Sequence, residues 1–258
     1  MLRRRKAASD HGGGAFYSPL PDLSALPEDV WGRRSALAGV AFDAARQIAW
    51  AEAELAAGIA AFEAPAGFRL ANSYYESVDA EVCDALVRRL APSRVIELGS
   101  GWSTLLLRAA APGRVTTYDP YPAEFLAGVE RRAAQEIPLD VFDGLRAGDV
   151  LFVDTSHTVK LGGDVNRIVL DVLPRLAPGV VVHFHDIWLP YEYHRVLVED
   201  MGMYWAEQYL LQAFLIGNPW EVLFAAQAVA REHPGRLQAL VPSYTGANFP
   251  SAFWLRAP

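Results

Sequence analysis

Two groups of residues in this 258-residue chain have the types and spacing to do chemistry. The first is Glu97-Leu-Gly99-Ser100-Gly101-Trp-Ser103-Thr104, where an apolar run gives way to a glycine pair and then a helical pattern. Glycines permit a tight turn and let a ligand approach the main chain closely. Asp119 stands 20 residues after Gly99, at the end of the next apolar run. A carboxylate there suits the two hydroxyls of a ribose. The second group is Asp154, His157, His185 and Asp186, which follow two further apolar runs. An imidazole can take a proton near neutral pH. Carboxylates with an imidazole can instead hold a divalent cation.

Such residues work only if the chain brings them together, and the hydrophobic pattern says how. From Asp79 onward helical and extended patterns alternate. Helical periodicity covers 79–90, 104–110, 123–134 and 164–173; short β-branched runs cover 94–98, 114–118, 150–153 and 180–184. Shorter runs at 139–142, 212–216, 221–224 and 252–255 complete the expected strands. Alternation of this kind implies right-handed crossovers and a mostly parallel sheet. Ligands of such sheets bind beyond the carboxyl ends of the strands, where both groups fall. Upstream, residues 1–71 read as a loop and a helical extension, and 72–258 as the main domain. Leu37, Val40, Ala41, Ala44, Ile48 and Ala51 recur at helical spacing, so a helix there packs on the main domain or is a contact surface between copies of the chain.

Composition narrows the partners. A formal net charge of −7 argues against a nucleic-acid backbone. The run Arg3-Arg4-Arg5-Lys6 reads as a solvated tail. No apolar run approaches the ~20 residues of a membrane span, and no apolar stretch follows the basic start as in a secretion signal, so the cytoplasm is the expected compartment. Cys83 is the only cysteine; it falls in a helical pattern and reads as a buried structural thiol. The expected partner is a small-molecule substrate.

Two nucleotide readings of the glycine turn compete. A dinucleotide site wants a third glycine at position 104, where the chain has Thr. A methyltransferase turn wants an acid two residues before the glycine pair, and Glu97 is there. Such a carboxylate can help hold the cationic methionine end of S-adenosylmethionine, directly or through water. The stretch from Tyr74 to about Phe224 resembles the class I methyltransferases, specifically a bacterial group of the Methyltransf_24 kind. The matching pieces are 96–104, Val153-Asp-Thr-Ser-His157, Gly163-Asp-Val-Asn166 and His183-Phe-His-Asp186. The resemblance implies a Rossmann-like, mostly parallel seven-stranded sheet with helices on both faces. It implies S-adenosylmethionine bound by Glu97, Gly99, Ser100, Gly101, Ser103, Thr104 and Asp119. Some metal-dependent sugar O-methyltransferases carry Asp-x-x-His after the fourth strand, as Asp154-Thr-Ser-His157 does. There the Asp binds metal and the His is the base. The implied roles are His157 as base, and Asp154, His185 and Asp186 as ligands of Mg2+ or another divalent metal. His185 stands where those enzymes have an acid.

Beside these, His183 reads as a packed, hydrogen-bonded histidine and Asp164 as a helix cap. The aromatic loop Trp188–His194 is a candidate wall for an acceptor. The competing functions are an NAD-dependent oxidoreductase and a non-catalytic nucleotide-binding or assembly module.

Overall fold

A computed structural model describes residues 18–258 of the chain. The basic run at 3–6 and the triple glycine at 12–14 lie outside the described residues.

Four short strands follow the β-branched runs: β1 (Val95–Leu98), β2 (Val115–Tyr118), β3 (Val150–Val153) and β4 (Val181–Phe184). They are parallel in the order β2-β1-β3-β4. Every residue of β1, β3 and β4 is buried, as strands covered on both faces must be. Two more strands, β5 (Glu221–Ala225) and β6 (Phe253–Arg256), extend the sheet past β4, with β6 antiparallel to both of its neighbours. The sheet has six strands among the described residues, one fewer than the resemblance implied.

Alternation along each strand divides the core in two. Ile96, Leu98, Leu151, Val153, Val182 and Phe184 face one cluster. That cluster also takes Val165, Ile168, Val169 and Val172 from the helical stretch that starts at Asp164, and Leu211 and Leu215 from a later helix, α7 below. Val95, Val150, Phe152 and Val181 face the other, with α3 (Asp79–Leu90) and α4 (Trp102–Ala110) above them. The apolar face of α1 (Ala44–Glu54) is buried within this same chain, through Ala44, Ile48 and Ala51, and the helix lies on β5 and on α8 (Ala226–Glu232). The short α2 (Ala56–Ala60) packs on α3.

Four expected elements differ. The helix expected from about residue 35 begins only at Ala44, because Leu37 and Gly39 are left-handed, and Leu37, Val40 and Ala41 precede it. Residues 123–134 form no helix: Pro120, Pro122 and a left-handed Gly128 keep the segment irregular, and Glu130 makes an isolated parallel bridge to Tyr118. Residues 139–142, expected as a strand, begin the helix α5 (Leu139–Asp143) after Pro138. Proline is tolerated at a helix start because the first amides have no intrahelical acceptor. Residues 212–216, also expected as a strand, fall mostly in α7 (Glu207–Leu215), where Leu211 and Leu215 are spaced one turn apart and both buried.

Candidate active site between two crevices

At the carboxyl end of β1 the chain turns at Gly99, whose φ is +89°. A Cβ added there would sit 1.7 Å from the carbonyl oxygen of Asp154, so only glycine lets β1 and β3 end side by side. Gly101 meets no such obstacle: nothing lies within 4 Å of the position its Cβ would take.

Glu97 lies beneath the turn. It is fully buried, and its carboxylate accepts hydrogen bonds from Ser103 Oγ (2.9 Å), Thr104 Oγ1 (3.0 Å) and Thr117 Oγ1 (2.7 Å). Burial pushes its pKa up to about 7, against the pull of the three hydroxyls. These bonds fasten the turn: Oε1 accepts two of them and Oε2 one, which leaves Oε2 a lone pair. Ser103 and Thr104 are buried with it and share that duty. Thr104 also accepts from the Gly101 amide at 3.1 Å. The residue that breaks the dinucleotide pattern is therefore the clasp of this turn.

Beyond the turn opens a crevice of about 550 Å³, lined by Gly99, Ser100, Asp119, Asp154 and Ser156 among others. Asp119 is half-buried at its rim, accepting from Ser100 Oγ (2.6 Å) and the Tyr121 amide (2.7 Å). Each carboxylate oxygen retains a second lone pair for a ligand hydroxyl. Asp164 is the first residue of its helix and not its cap; its carboxylate accepts from the Ser156 amide and hydroxyl and steadies the loop after β3.

A second crevice, of about 410 Å³, lies on the other side of Asp154. Asp154, His185 and Asp186 line it, with aromatic walls from Tyr74, Trp188, His194, Trp205 and Phe249. The loop 188–194 contributes Trp188 and His194 to this wall, as its composition suggested.

Asp154, His157 and Asp186 offer ligand atoms that all lie within 4.8 Å of one another. His157 Nε2 is 3.3 Å from Asp154 Oδ1 and 3.6 Å from Asp186 Oδ2. His157 and Asp186 both adopt left-handed backbone, with φ of +54° and +55°. Non-glycine residues carry that strain only where surroundings enforce it. Two carboxylate oxygens and one imidazole nitrogen are a set that fits a divalent cation. His185, expected among the ligands, stands aside. Its Nε2 is 3.2 Å from the Tyr74 carbonyl oxygen and 3.8 Å from Asp186, and its Nδ1 faces Asp79 at 4.0 Å. The reason is strand alternation. His183 and His185 lean to the α3 side of the sheet, their rings 6.0 Å apart. His183 is packed as expected, 4.0 Å from the Phe152 ring and 4.5 Å from Trp254, but neither of its ring nitrogens has a partner among the described residues.

Electrostatics follow from this crowding. Burial works against an ionised Asp154, yet His185 and His157 outweigh it and hold its pKa down at about 2. Burial also opposes a charged His157, but hydrogen bonds to Asp154 and Glu207, with the charges of Glu207 and Asp186, hold its pKa well above the ordinary value. Two acids were invisible to sequence reasoning. Glu207, 50 residues after His157, is fully buried and meets its Nδ1 at 2.8 Å. Asp79, also buried, accepts from the Ser251 and Ala252 amides and ties α3 to the far wall. Each sits in a helical pattern that reads as an ordinary polar position.

The glycine turn, Asp119 and the cluster after β3 and β4 all stand at the carboxyl ends of the parallel strands, where ligands of such sheets bind. Comparison makes this specific: the chain carries, over residues 96–187, a domain that matches the Methyltransf_24 family model, described as a methyltransferase domain. No curated protein and no solved structure matches the chain. No helix among the described residues is long and apolar enough to cross a membrane.

Proposed function

We propose that this protein transfers a methyl group from S-adenosylmethionine to a hydroxyl of a small molecule. The observation that carries the reading is the position of Asp154, which lines both crevices. A donor seated over Gly101 and an acceptor seated against the aromatic wall would meet there. In that meeting an acceptor oxygen bonds the methyl carbon as the sulfur–methyl bond breaks, and the hydroxyl proton leaves.

The chain's residues divide this work. Gly99 and Gly101 give the donor close access to main chain, and Asp119 accepts from its ribose hydroxyls. Trp188, Trp205 and Phe249 supply flat apolar surface for a ring or sugar. Asp154, His157 and Asp186 hold the reacting end. A divalent cation bound to them, Mg2+ or another, would lower the pKa of the acceptor hydroxyl. With no cation, His157 would take the proton in its neutral form, which the acids around it disfavour. The chain works in this reading as a cytoplasmic enzyme on a small molecule.

No observation favours the NAD reading, because Thr104 is built into the turn. A binding module would have no use for His157 and two acids in strained loops. Isothermal titration separates the three readings. S-adenosylhomocysteine should bind and NAD should not; tight NAD binding with no adenosyl-ligand binding would overturn the proposal.

A further inference from the structure

His157 is held more firmly than its neighbours in the cluster, and from an unexpected quarter. Its side-chain Nδ1 lies 2.8 Å from Glu207 Oε2. Its main-chain carbonyl accepts from the amides of Ala206 (2.9 Å) and Glu207 (3.1 Å), at the head of α7. The Trp205 ring packs on the imidazole at 4.7 Å. Ring and backbone are therefore both fixed by one three-residue segment, Trp205 to Glu207. By contrast, Nε2 lies 3.3 and 3.6 Å from the two acids in front of it, longer than the 2.8 Å contact behind. Three donor atoms that converge at such distances share a common point more readily than they bond one another.

Charge gives a second, independent reason. Four carboxylates, Asp79, Asp154, Asp186 and Glu207, surround two imidazoles, His157 and His185, and no lysine or arginine pairs with any of them among the described residues. Even with both imidazoles charged, two negative charges stay uncompensated in a partly buried corner, which is costly without a counter-ion. A divalent cation supplies the missing charge.

We infer that Glu207 is a positioning residue that presents His157 Nε2, bare of its proton, as a nitrogen ligand to a divalent cation shared with Asp154 and Asp186. This rests on the methyl-transfer reading and changes the role of His157 within it from base to ligand. A carboxylate behind a ligating histidine fixes the tautomer, with the proton on Nδ1, and raises the basicity of the ligating nitrogen. The nitrogen also sets the kind of metal. Mg2+ and Ca2+ prefer oxygen alone, whereas imidazole suits first-row transition ions. The site is thus one for an ion such as Fe2+, Ni2+ or Zn2+, and Mn2+ serves as its paramagnetic probe.

The test loads the intact protein with Mn2+ and looks for a bound nitrogen-14 by pulsed electron paramagnetic resonance. The wild type should show the coupling, a tenfold molar excess of Mg2+ should not remove it, and His157→Gln should abolish it. Glu207→Gln keeps a hydrogen-bond acceptor but not the charge; it should weaken Mn2+ binding by roughly 10–100-fold, with circular dichroism unchanged. Bound Mn2+ without nitrogen coupling in the wild type would overturn the inference whatever the variants do. So would a folded Glu207→Gln protein whose Mn2+ affinity stays within about twofold. S-adenosylhomocysteine titrated into the same samples keeps the two readings apart. If it binds and Mn2+ does not, the inference falls and methyl transfer stands; if neither binds, both fall.

Discussion

The two crevices that meet at Asp154 are built on different principles. The one beside the glycine turn is lined from the segments 99–100, 118–121, 133–135 and 154–164, and its floor, the turn itself, is fastened by main chain and short hydroxyl side chains within residues 97–119. The other is made of long side chains drawn from the segments near 74, 154, 186, 205 and 250. The first is rigid by local bonding, with Glu97 tying strand, turn and helix together. The second depends on loops held in left-handed conformations and on carboxylates that have no lysine or arginine beside them among the described residues. The contrast suits a constant donor on one side and an acceptor peculiar to this enzyme on the other. It also predicts that substitutions on the two sides fail differently.

The largest effect should come from the acceptor side and leave the donor side alone. His157→Ala should cut turnover by about 10²–10⁴-fold whether the ring takes a proton or holds an ion, with S-adenosylhomocysteine affinity near that of the wild type. Turnover within twofold of wild type, on the true acceptor, would erase the distinction between the crevices.

Gly99→Ala should do the reverse, damaging the fold itself. The new Cβ meets the Asp154 carbonyl at 1.7 Å in a left-handed backbone, so a stability loss of at least about 3 kcal/mol is expected in denaturant titration. Gly101→Ala, with open space around it, should cost about 0.5 kcal/mol or less in the same titration and be felt only as weaker ligand binding. Equal losses at the two positions would contradict the turn described above.

Asp119→Ala comes next. It should weaken S-adenosylhomocysteine by about 1–3 kcal/mol, measured calorimetrically, through loss of a buried acceptor for the ribose hydroxyls. An unchanged affinity would move the ribose elsewhere.

A different kind of effect is a pH slope. Glu97 keeps its proton to about pH 7 in the folded chain, against a usual value of 4.5. Between those values the unfolded chain has already released a proton that the folded chain retains. Stability therefore declines as pH rises from about 4.5 and levels off above about 7, by roughly 1.4 kcal/mol per unit at most from this residue. Glu97→Gln has no proton to lose and should show a flatter profile across that window. Parallel profiles for the two proteins would show that Glu97 titrates normally.

The same contrast explains what could be read without coordinates. The glycine turn was legible because its chemistry is local: Glu97, Gly99, Gly101 and Thr104 are close enough in sequence for their spacing to carry meaning. The strands β1 to β4 were legible because doubly buried strands read as unbroken β-branched runs. Glu97 shows the limit, since spacing located the carboxylate but could not say that three hydroxyls would occupy it. The rest needed tertiary structure. Nothing near His157 announces Glu207, and the side of the sheet to which His185 turns depends on the twist and pleat of β4. Residues 139–142 and 212–216 are short apolar runs, for which a strand and a helix turn look alike until their neighbours are known.

One contact has a bearing on how ligands would share this enzyme. The carbonyl of Asp154 is pressed into the gap left by the missing side chain of Gly99, and the same residue lines both crevices. The partition between the two chambers is thus a single residue clamped at its main chain. A guest on either side that shifts this partition must alter the welcome given to a guest on the other, and by the same factor in both directions.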